Sequence, residues 1–124
     1  MALLLQWLVL PAVADELGEL RAALERASEQ HRLALATLET SGQQETAAEV
    51  HRFRQTWQDV VERFGARRRA TGAGDESTMA ALLDIDVRII GILLIIDLGN
   101  RDAARDTLLS IAVTLSDLKA AEPQ

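Results

Sequence analysis

Two acidic clusters are the first residues in this chain that could do chemistry. Asp15, Glu16 and Glu19 lie within about one helical turn of one another, and Asp59 and Glu62 are three residues apart. Paired carboxylates on facing helices hold Mg²⁺ in all-α nucleotide pyrophosphohydrolases, because hard cations prefer oxygen ligands. The same spacings are common on any solvated helix, and we expect no Lys or Arg to frame either cluster as phosphate binding requires. We interpret both as surface charge, and keep a Mg-dependent nucleotide pyrophosphohydrolase as the alternative function.

The two histidines are the next candidates. His31 falls on the apolar face of a predicted helix, where a polar side chain is costly unless it is hydrogen-bonded. It could act as a ligand or as a proton-sensitive switch, but we favour a buried polar group that fixes the register of the helices. His51 lies off its helix's apolar seam, and we expect it to be solvated. Ser28 and Ala48 stand three residues before them, so the Glu-x-x-His pairs of di-iron bundles are absent.

The sequence lacks the residues that several other kinds of chemistry require. The chain has no Cys, which excludes disulfides, thiolate nucleophiles and Cys-ligated metals. No nucleophile motif surrounds any serine, and Gly72-Ala73-Gly74 lacks the lysine and strand of a phosphate-binding loop. Arg67-Arg68-Arg69, with Arg63 one turn earlier, is the one basic cluster, and we expect a solvated helix end there because no stacking aromatic accompanies it. We predict no catalytic residue, no bound metal and no cofactor.

The composition limits the kind of protein that could position these residues. The chain has 124 residues, of which 48% are hydrophobic and 3% aromatic, and its net charge is −6. That length fits one domain, and no apolar run reaches the roughly 18 residues of a membrane span. The negative charge argues against nucleic acid as a partner. Helix-forming residues dominate and only two prolines interrupt them, which predicts an all-α fold.

The first helix is predicted by apolar positions spaced alternately three and four residues apart. We expect Asp15 as a candidate N-cap and Ser41-Gly42 as its end, with Gly42 in the left-handed conformation. The spacing of Leu3, Leu10 and Val13 favours an extension of the same apolar stripe backward through the first residues, with Pro11 at a kink or at the first turn of a new helix. The second helix begins near Gln44 and runs to about Arg69. The apolar positions of the two helices are Leu17, Leu20, Leu24, Ala27, His31, Ala34 and Leu38, and then Val50, Phe53, Trp57, Val60 and Phe64.

The third helix, over residues 77–98, is apolar in nearly every direction, so we expect it to be buried on most sides. Asp84 and Arg88 can pair on one of its faces. Gly99-Asn100 then supplies a C-terminal glycine and an N-cap for a tight antiparallel turn. The fourth helix ends before Pro123, and its apolar positions are Ala104, Leu108, Ile111, Leu115 and Leu118.

These elements predict an antiparallel four-helix bundle of two helical hairpins with an apolar N-terminal helical arm. We place the arm at residues 1–14, the first hairpin at 15–69, a linker at 70–76 and the second hairpin at 77–120. The arm lies where a secretory signal would lie, but no Lys or Arg precedes its apolar run. We therefore favour a cytoplasmic protein, with a secreted helical protein as a further alternative.

The arm and the third helix together have more apolar surface than one small bundle covers. The arm could fold over its own bundle as a fifth helix, but exposed apolar patches usually mark contact sites. We predict a small non-enzymatic helical interaction or assembly protein, which forms a homo-oligomer or binds a partner protein through exposed apolar helix faces. A Trp flanked by leucines is typical of interface hot spots. The predicted partner-binding residues are Leu3, Leu5, Trp7, Leu8 and Leu10.

Overall fold

Four helices make up the fold in the computed structural model. It describes the backbone of residues 2–71 and 76–121 and the side chains of residues 18–69 and 76–121. The described residues contain no strand, which confirms the all-α prediction. The helices are α1 (Ala2–Thr40), α2 (Gln43–Thr71), α3 (Glu76–Asp97) and α4 (Arg101–Ala121).

The helices form a ring in chain order. α1 packs against α2 and α4, and α3 packs against the same two helices from the other side. Successive helices run antiparallel, as in an up-and-down four-helix bundle. The predicted three-four seams of α1, α2 and α4 form the core, and α3 contributes one of its faces. The largest fully buried side chains are Trp57, Phe53, Phe64, Leu20, Ile85, Ile89, Ile92, Leu108 and Ile111.

Two predicted boundaries are wrong. α1 begins at Ala2 and runs through Asp15, so Asp15 is not its N-cap; the arm continues the first helix, which agrees with the predicted backward extension of its apolar stripe. The apolar spacing explains the continuity, because Leu10 and Val13 continue the three-four pattern of Leu17 towards the N-terminus. α2 likewise runs on to Thr71, inside the predicted linker.

The α1–α2 turn differs from the expected one. Gly42 does not have a positive φ, so the left-handed helix end predicted there is wrong. The amide of Ser41 donates to the carbonyl of Thr37 at 2.8 Å, and the Gly42 carbonyl accepts the amide of Thr46 at 3.1 Å. Gly42 is therefore the N-cap of α2, a position that glycine also favours.

The α3–α4 turn is the one predicted. Gly99 has a φ of 80°, and its amide donates to the Ile96 carbonyl at 2.9 Å. The Asn100 amide donates to the Ile95 carbonyl at 3.1 Å, which completes a Schellman motif. Asn100 also caps α4, because its Oδ1 accepts the amide of Ala103 at 3.1 Å.

The two turns lie at the same end of the bundle, where each caps a helix of the other hairpin. Arg101, the first residue of α4, donates to the carbonyl of Leu38 near the end of α1. Gln43, the first residue of α2, donates through Nε2 to the Ile96 carbonyl at 2.6 Å and to the Asp97 carbonyl at 3.2 Å. These carbonyls belong to the last turns of α1 and α3, where intrahelical donors run out, and Ile96 also accepts the Gly99 amide. The contacts therefore help to satisfy both helix ends and align the hairpins.

Two buried side chains join the hairpins in the core. Trp57 of α2 donates through Nε1 to the Leu82 carbonyl of α3 at 2.8 Å. His31 of α1 hydrogen-bonds through Nε2 to the Leu108 carbonyl of α4 at 2.7 Å. Phe53 lies between the two rings in edge contacts, with centroid distances of 5.5 Å to His31 and 6.4 Å to Trp57. The hairpins are thus tied on both sides through one continuous aromatic cluster.

Two glycine substitutions test the turn geometry. Gly99→Ala should lower the free energy of unfolding by about 1 to 2 kcal/mol, because a Cβ is strained at positive φ. Gly18→Ala is the control, since it lies inside α1 with no atom within 4 Å of an added Cβ; it should raise that free energy by about 0.5 to 1 kcal/mol. Urea unfolding followed by circular dichroism measures both. A Gly99→Ala protein as stable as the native chain would contradict the turn assignment.

Candidate functional site

An exposed apolar stripe runs along the outer face of α3. Its five residues follow one another at intervals of four, three, four and four, which places them on one side of the helix. Their exposed fractions are 49% for Leu83, 65% for Val87, 37% for Ile90, 64% for Leu94 and 82% for Leu98. These five residues are called the α3 stripe below.

The opposite face of the same helix is buried. Leu82, Ile85, Ile89, Ile92 and Ile96 pack into the core between α2 and α4. The expectation that α3 would be buried on most sides is therefore wrong for a single copy of the chain. A bundle of four helices covers only the inward half of each helix, so the second apolar face of α3 is left on the outside.

Charged residues flank the α3 stripe on both sides. Asp86 faces Arg54 of α2 at 3.8 Å between Oδ1 and Nε, an ion pair too long for a hydrogen bond. On the α4 side, Asp84 pairs with Arg88 at 2.9 Å, as predicted. Asp97 lies exposed near the end of the stripe. The surface thus has the apolar centre and polar rim that are typical of protein interfaces.

Gly91 lies beside the middle of the α3 stripe. It is partly exposed, and no atom lies within 4 Å of the place where a Cβ would stand. A glycine inside a helix costs about 1 kcal/mol relative to alanine. No neighbour in the described part of this chain packs closely enough against Gly91 to exclude a side chain. The glycine therefore leaves open space on the surface next to Ile90.

A second, smaller apolar area lies on α4. Leu109 is 46% exposed and Val113 is 64% exposed, one turn apart. Arg105, one turn before Leu109, binds Glu39 of α1 through two hydrogen bonds of 2.6 and 2.9 Å. Leu109 therefore lies towards α1, and Val113, a further turn along, lies on the outer face of α4.

The predicted partner-binding residues of the arm fall in the first part of α1. Their side chains, like those of Asp15 and Glu16 in the first acidic cluster, lie outside the described residues. Their role remains a prediction from sequence. These arm residues are Leu3, Leu5, Trp7, Leu8 and Leu10.

The described acidic candidates are engaged by arginines. Arg63 contacts Glu19 at 2.7 Å and Asp59 at 3.4 Å, and Arg26 contacts Asp59 at 3.0 Å. The expectation that no basic group frames the acidic clusters is therefore wrong. Glu62 is exposed on the same helix as Asp59. Among the described residues, no group of three or more His, Asp or Glu side chains is placed to hold a metal ion.

His31 is buried, with 7% of its surface exposed. A carbonyl can only accept, so Nε2 bears the proton that the Leu108 carbonyl receives. The bond links α1 to α4 and the ring packs edge-on against Phe53, which is the geometry of a residue that fixes register. His51 is exposed, as predicted.

The basic cluster at the end of α2 is only partly solvated. Arg67 is 8% exposed, and its guanidinium lies over the ring of Phe64, 4.9 Å from the centroid. This cation–π contact draws the side chain onto the core surface, so the prediction of a fully solvated helix end is wrong at this position. Arg69 is exposed, as expected.

The groups with displaced pKa values belong to surface ion pairs. The hydrogen bond from Arg32 lowers the pKa of the Glu29 carboxyl, and the same bond raises the pKa of Arg32. The hydrogen bond to Glu39 raises the pKa of Arg105. These residues lie on α1 and α4, away from the α3 stripe.

Comparison of the chain with known protein families, with curated proteins and with solved structures finds no match. No helix among the described residues is both long enough and apolar enough to cross a bilayer. A helical-bundle fold does not by itself indicate a function, which depends on the chemistry of the surfaces.

Substitution of the histidines tests the register role. His31→Ala should lower the free energy of unfolding by about 2 to 3 kcal/mol, because it removes a buried hydrogen bond and leaves a cavity beside Phe53. His51→Ala is the control and should change it by less than about 0.5 kcal/mol. Chemical unfolding measures the two. Equal stabilities of the two variants would show that the His31 bond does not hold α1 to α4.

Proposed function

We propose that the protein is a small, non-enzymatic helical assembly subunit that associates through exposed apolar helix faces, with a second copy of itself or with a partner protein. The observation that supports this most strongly is the α3 stripe. Five large aliphatic side chains in one line along a helix make a continuous patch. Patches of this kind on soluble proteins usually mark contact sites.

The size of the α3 stripe agrees with this proposal. The exposed fractions of its residues add up to about three fully exposed aliphatic side chains, or roughly 400 to 500 Å² of apolar surface. The largest apolar patch on a typical monomer covers roughly 300 to 600 Å² and is often functional. The α3 stripe is therefore as large as the largest apolar patch of a typical monomer, and patches of that size are often functional.

The register of α1 against α4 supports a role for the arm. Lys119 of α4 contacts Glu25 of α1 at 3.2 Å, and α4 ends two residues later at Ala121. Among the described residues, α4 therefore offers no cover to the part of α1 that precedes about residue 20. On the apolar sequence of residues 3–10, we propose these residues as a second interaction surface.

The charged residues support a non-enzymatic role. Of the three described carboxylates with metal-binding spacing, Glu19 and Asp59 contact arginines of the same bundle, and Glu62 is exposed. The buried imidazole of His31 donates to a backbone carbonyl. Glu19, Asp59 and His31 therefore bind other parts of the same chain. We propose a cytoplasmic protein that functions by binding other chains.

Charge placed on the α3 stripe should abolish association. We expect the native chain to be oligomeric at about 100 µM, and the variant Val87→Glu with Leu94→Glu to be monomeric with unchanged helix content. The physical reason is that two carboxylates would have to be desolvated in the contact. Sedimentation velocity over a concentration series measures the mass of each protein.

The matched control is Leu109→Glu with Val113→Glu on α4. It replaces the same residue types, and Val113 is 64% exposed against 65% for Val87. This variant should keep the native mass. A native chain that is monomeric at about 100 µM would contradict self-association, and an oligomer that survives the α3 substitutions would show that the α3 stripe is not the contact surface.

A further inference from the structure

We infer that a cavity between α1 and α4 binds a small oxyanion that also carries a hydroxyl group, such as hydrogen phosphate or a 2-hydroxycarboxylate. The cavity has a volume of about 240 Å³ and opens to solvent. The site lies away from the α3 stripe, so the inference does not depend on the proposed assembly. The residues that line the cavity are Ser28, His31, Ala112, Leu115, Ser116 and Lys119.

The cavity lies between two polar contacts that join α1 to α4. At one level, His31 donates to the Leu108 carbonyl at 2.7 Å. About three helical turns further along α4, Lys119 lies 3.2 Å from Glu25. Small side chains line the cavity between these levels and are too short to fill the space between the helices. They are Ser28, Ala112 and Ser116.

His31 presents its second ring nitrogen to this cavity. The side chain is more than nine-tenths buried, and Nδ1 has no hydrogen-bond partner among the described residues. Nδ1 is not one of the described polar atoms that are both unbonded and sealed from solvent, so it is accessible from the cavity that His31 lines. Because Nε2 carries a proton, Nδ1 of the neutral imidazole is an acceptor. The site therefore has one acceptor that needs a donor.

The other polar side chains of the cavity can all donate. Neither the Ser28 hydroxyl nor the Ser116 hydroxyl has a hydrogen-bond partner within residues 18–69 and 76–121. The ammonium of Lys119 has three donors, and its contact with Glu25 uses at most one of them. Two hydroxyls and a positive charge around one cavity favour an anion, since hydrogen bonds to ionised groups are the strong ones.

The ligand must therefore accept from Lys119 and the serines and donate to His31. Sulfate has only acceptor oxygens at neutral pH, so it would place a lone pair against that of Nδ1. Hydrogen phosphate has a similar shape and keeps a proton that Nδ1 can accept. In a 2-hydroxycarboxylate, the hydroxyl donates to Nδ1 and the carboxylate accepts from Lys119. Its carbon skeleton can then lie against Leu115, which supplies an apolar wall.

Glu25 is the one described carboxylate that competes with the ligand for Lys119. The two side chains are 62% and 35% exposed, and exposed ion pairs of this kind are weak. An oxyanion in the cavity can therefore draw the ammonium away from Glu25. The affinity should depend on both residues, in opposite directions.

Imidazole proton signals in the NMR spectrum test the site, because the chain has two histidines and His51 is exposed on α2. The full chain is titrated at pH 8, where histidine side chains are ordinarily neutral, with phosphate against sulfate and with lactate against propionate. We expect phosphate, lactate or both to shift the His31 signals saturably, with a dissociation constant of about 10 mM or below. Sulfate and propionate should bind at least about tenfold more weakly, because they leave Nδ1 without a donor. The His51 signals are the internal control and should not saturate.

The outcomes also identify the source of the oxyanion. Saturation by phosphate alone shows a phosphate site, and saturation by lactate alone shows a hydroxycarboxylate site. Saturation by both supports the shared chemistry. Equal affinities within each pair that binds would overturn the inference, and so would the absence of a saturable His31 shift up to about 50 mM of all four anions. Either result would leave the proposed assembly unaffected.

Substitutions on the surface of the bundle give an independent test. Lys119→Gln should weaken binding by at least about tenfold and Ser116→Ala by roughly three- to tenfold, since each removes a donor. Glu25→Gln should strengthen binding by roughly two- to fivefold, because it removes the competing carboxylate. Ser110→Ala is the matched control: Ser110 is exposed on the same helix, and its hydroxyl donates to the Thr107 carbonyl at 2.7 Å. Affinities that are the same in all four variants would place the ligand elsewhere and contradict the inference.

Discussion

The structure depends on one constraint: α3 has two apolar faces, and a four-helix bundle can cover only one of them. The inner face, which includes Ile85, Ile89 and Ile92, is fully buried between α2 and α4. The outer face, the α3 stripe, remains exposed along the length of the helix. Burial of apolar surface drives both folding and association, so the same helix that completes the core also favours contact with another chain.

The polar contacts fix which face of α3 points inward. Trp57 binds the Leu82 carbonyl, Arg54 faces Asp86, and Gln43 binds the carbonyls at the end of the helix. Rotation of α3 to bury the stripe would break these contacts and expose the isoleucines instead. Because α3 is held in this orientation, the stripe is a preformed surface, and association does not have to bear the cost of ordering it.

Much of the fold could be predicted from the sequence. The three-four seams predicted which residues of α1, α2 and α4 are buried, and Gly99-Asn100 predicted both a helix end and a helix start. The Gly42 prediction failed because glycine serves equally at a left-handed helix end and at an N-cap. The partner of His31 could not be predicted, since any backbone carbonyl on a facing helix can accept its proton and no residue type marks the one that does.

The candidate site was only partly predictable from the sequence. The composition of α3 showed an excess of apolar surface, but a helix that is apolar all round has no periodic signal to say which side faces the core. The packing of Trp57 and the ion pair of Arg54 supply that information, and they depend on the three-dimensional register. The same apolar excess predicted a contact role for Leu3, Leu5, Trp7, Leu8 and Leu10, whose side chains lie outside the described residues.

The most direct test of the central claim is a map of backbone amide chemical shifts on dilution from about 1 mM to about 10 µM. If the α3 stripe is the association surface, the shifts that change with concentration should cluster at residues 83–98 and leave those of Leu109 and Val113 unchanged. Concentration-independent shifts throughout α3 would contradict the account.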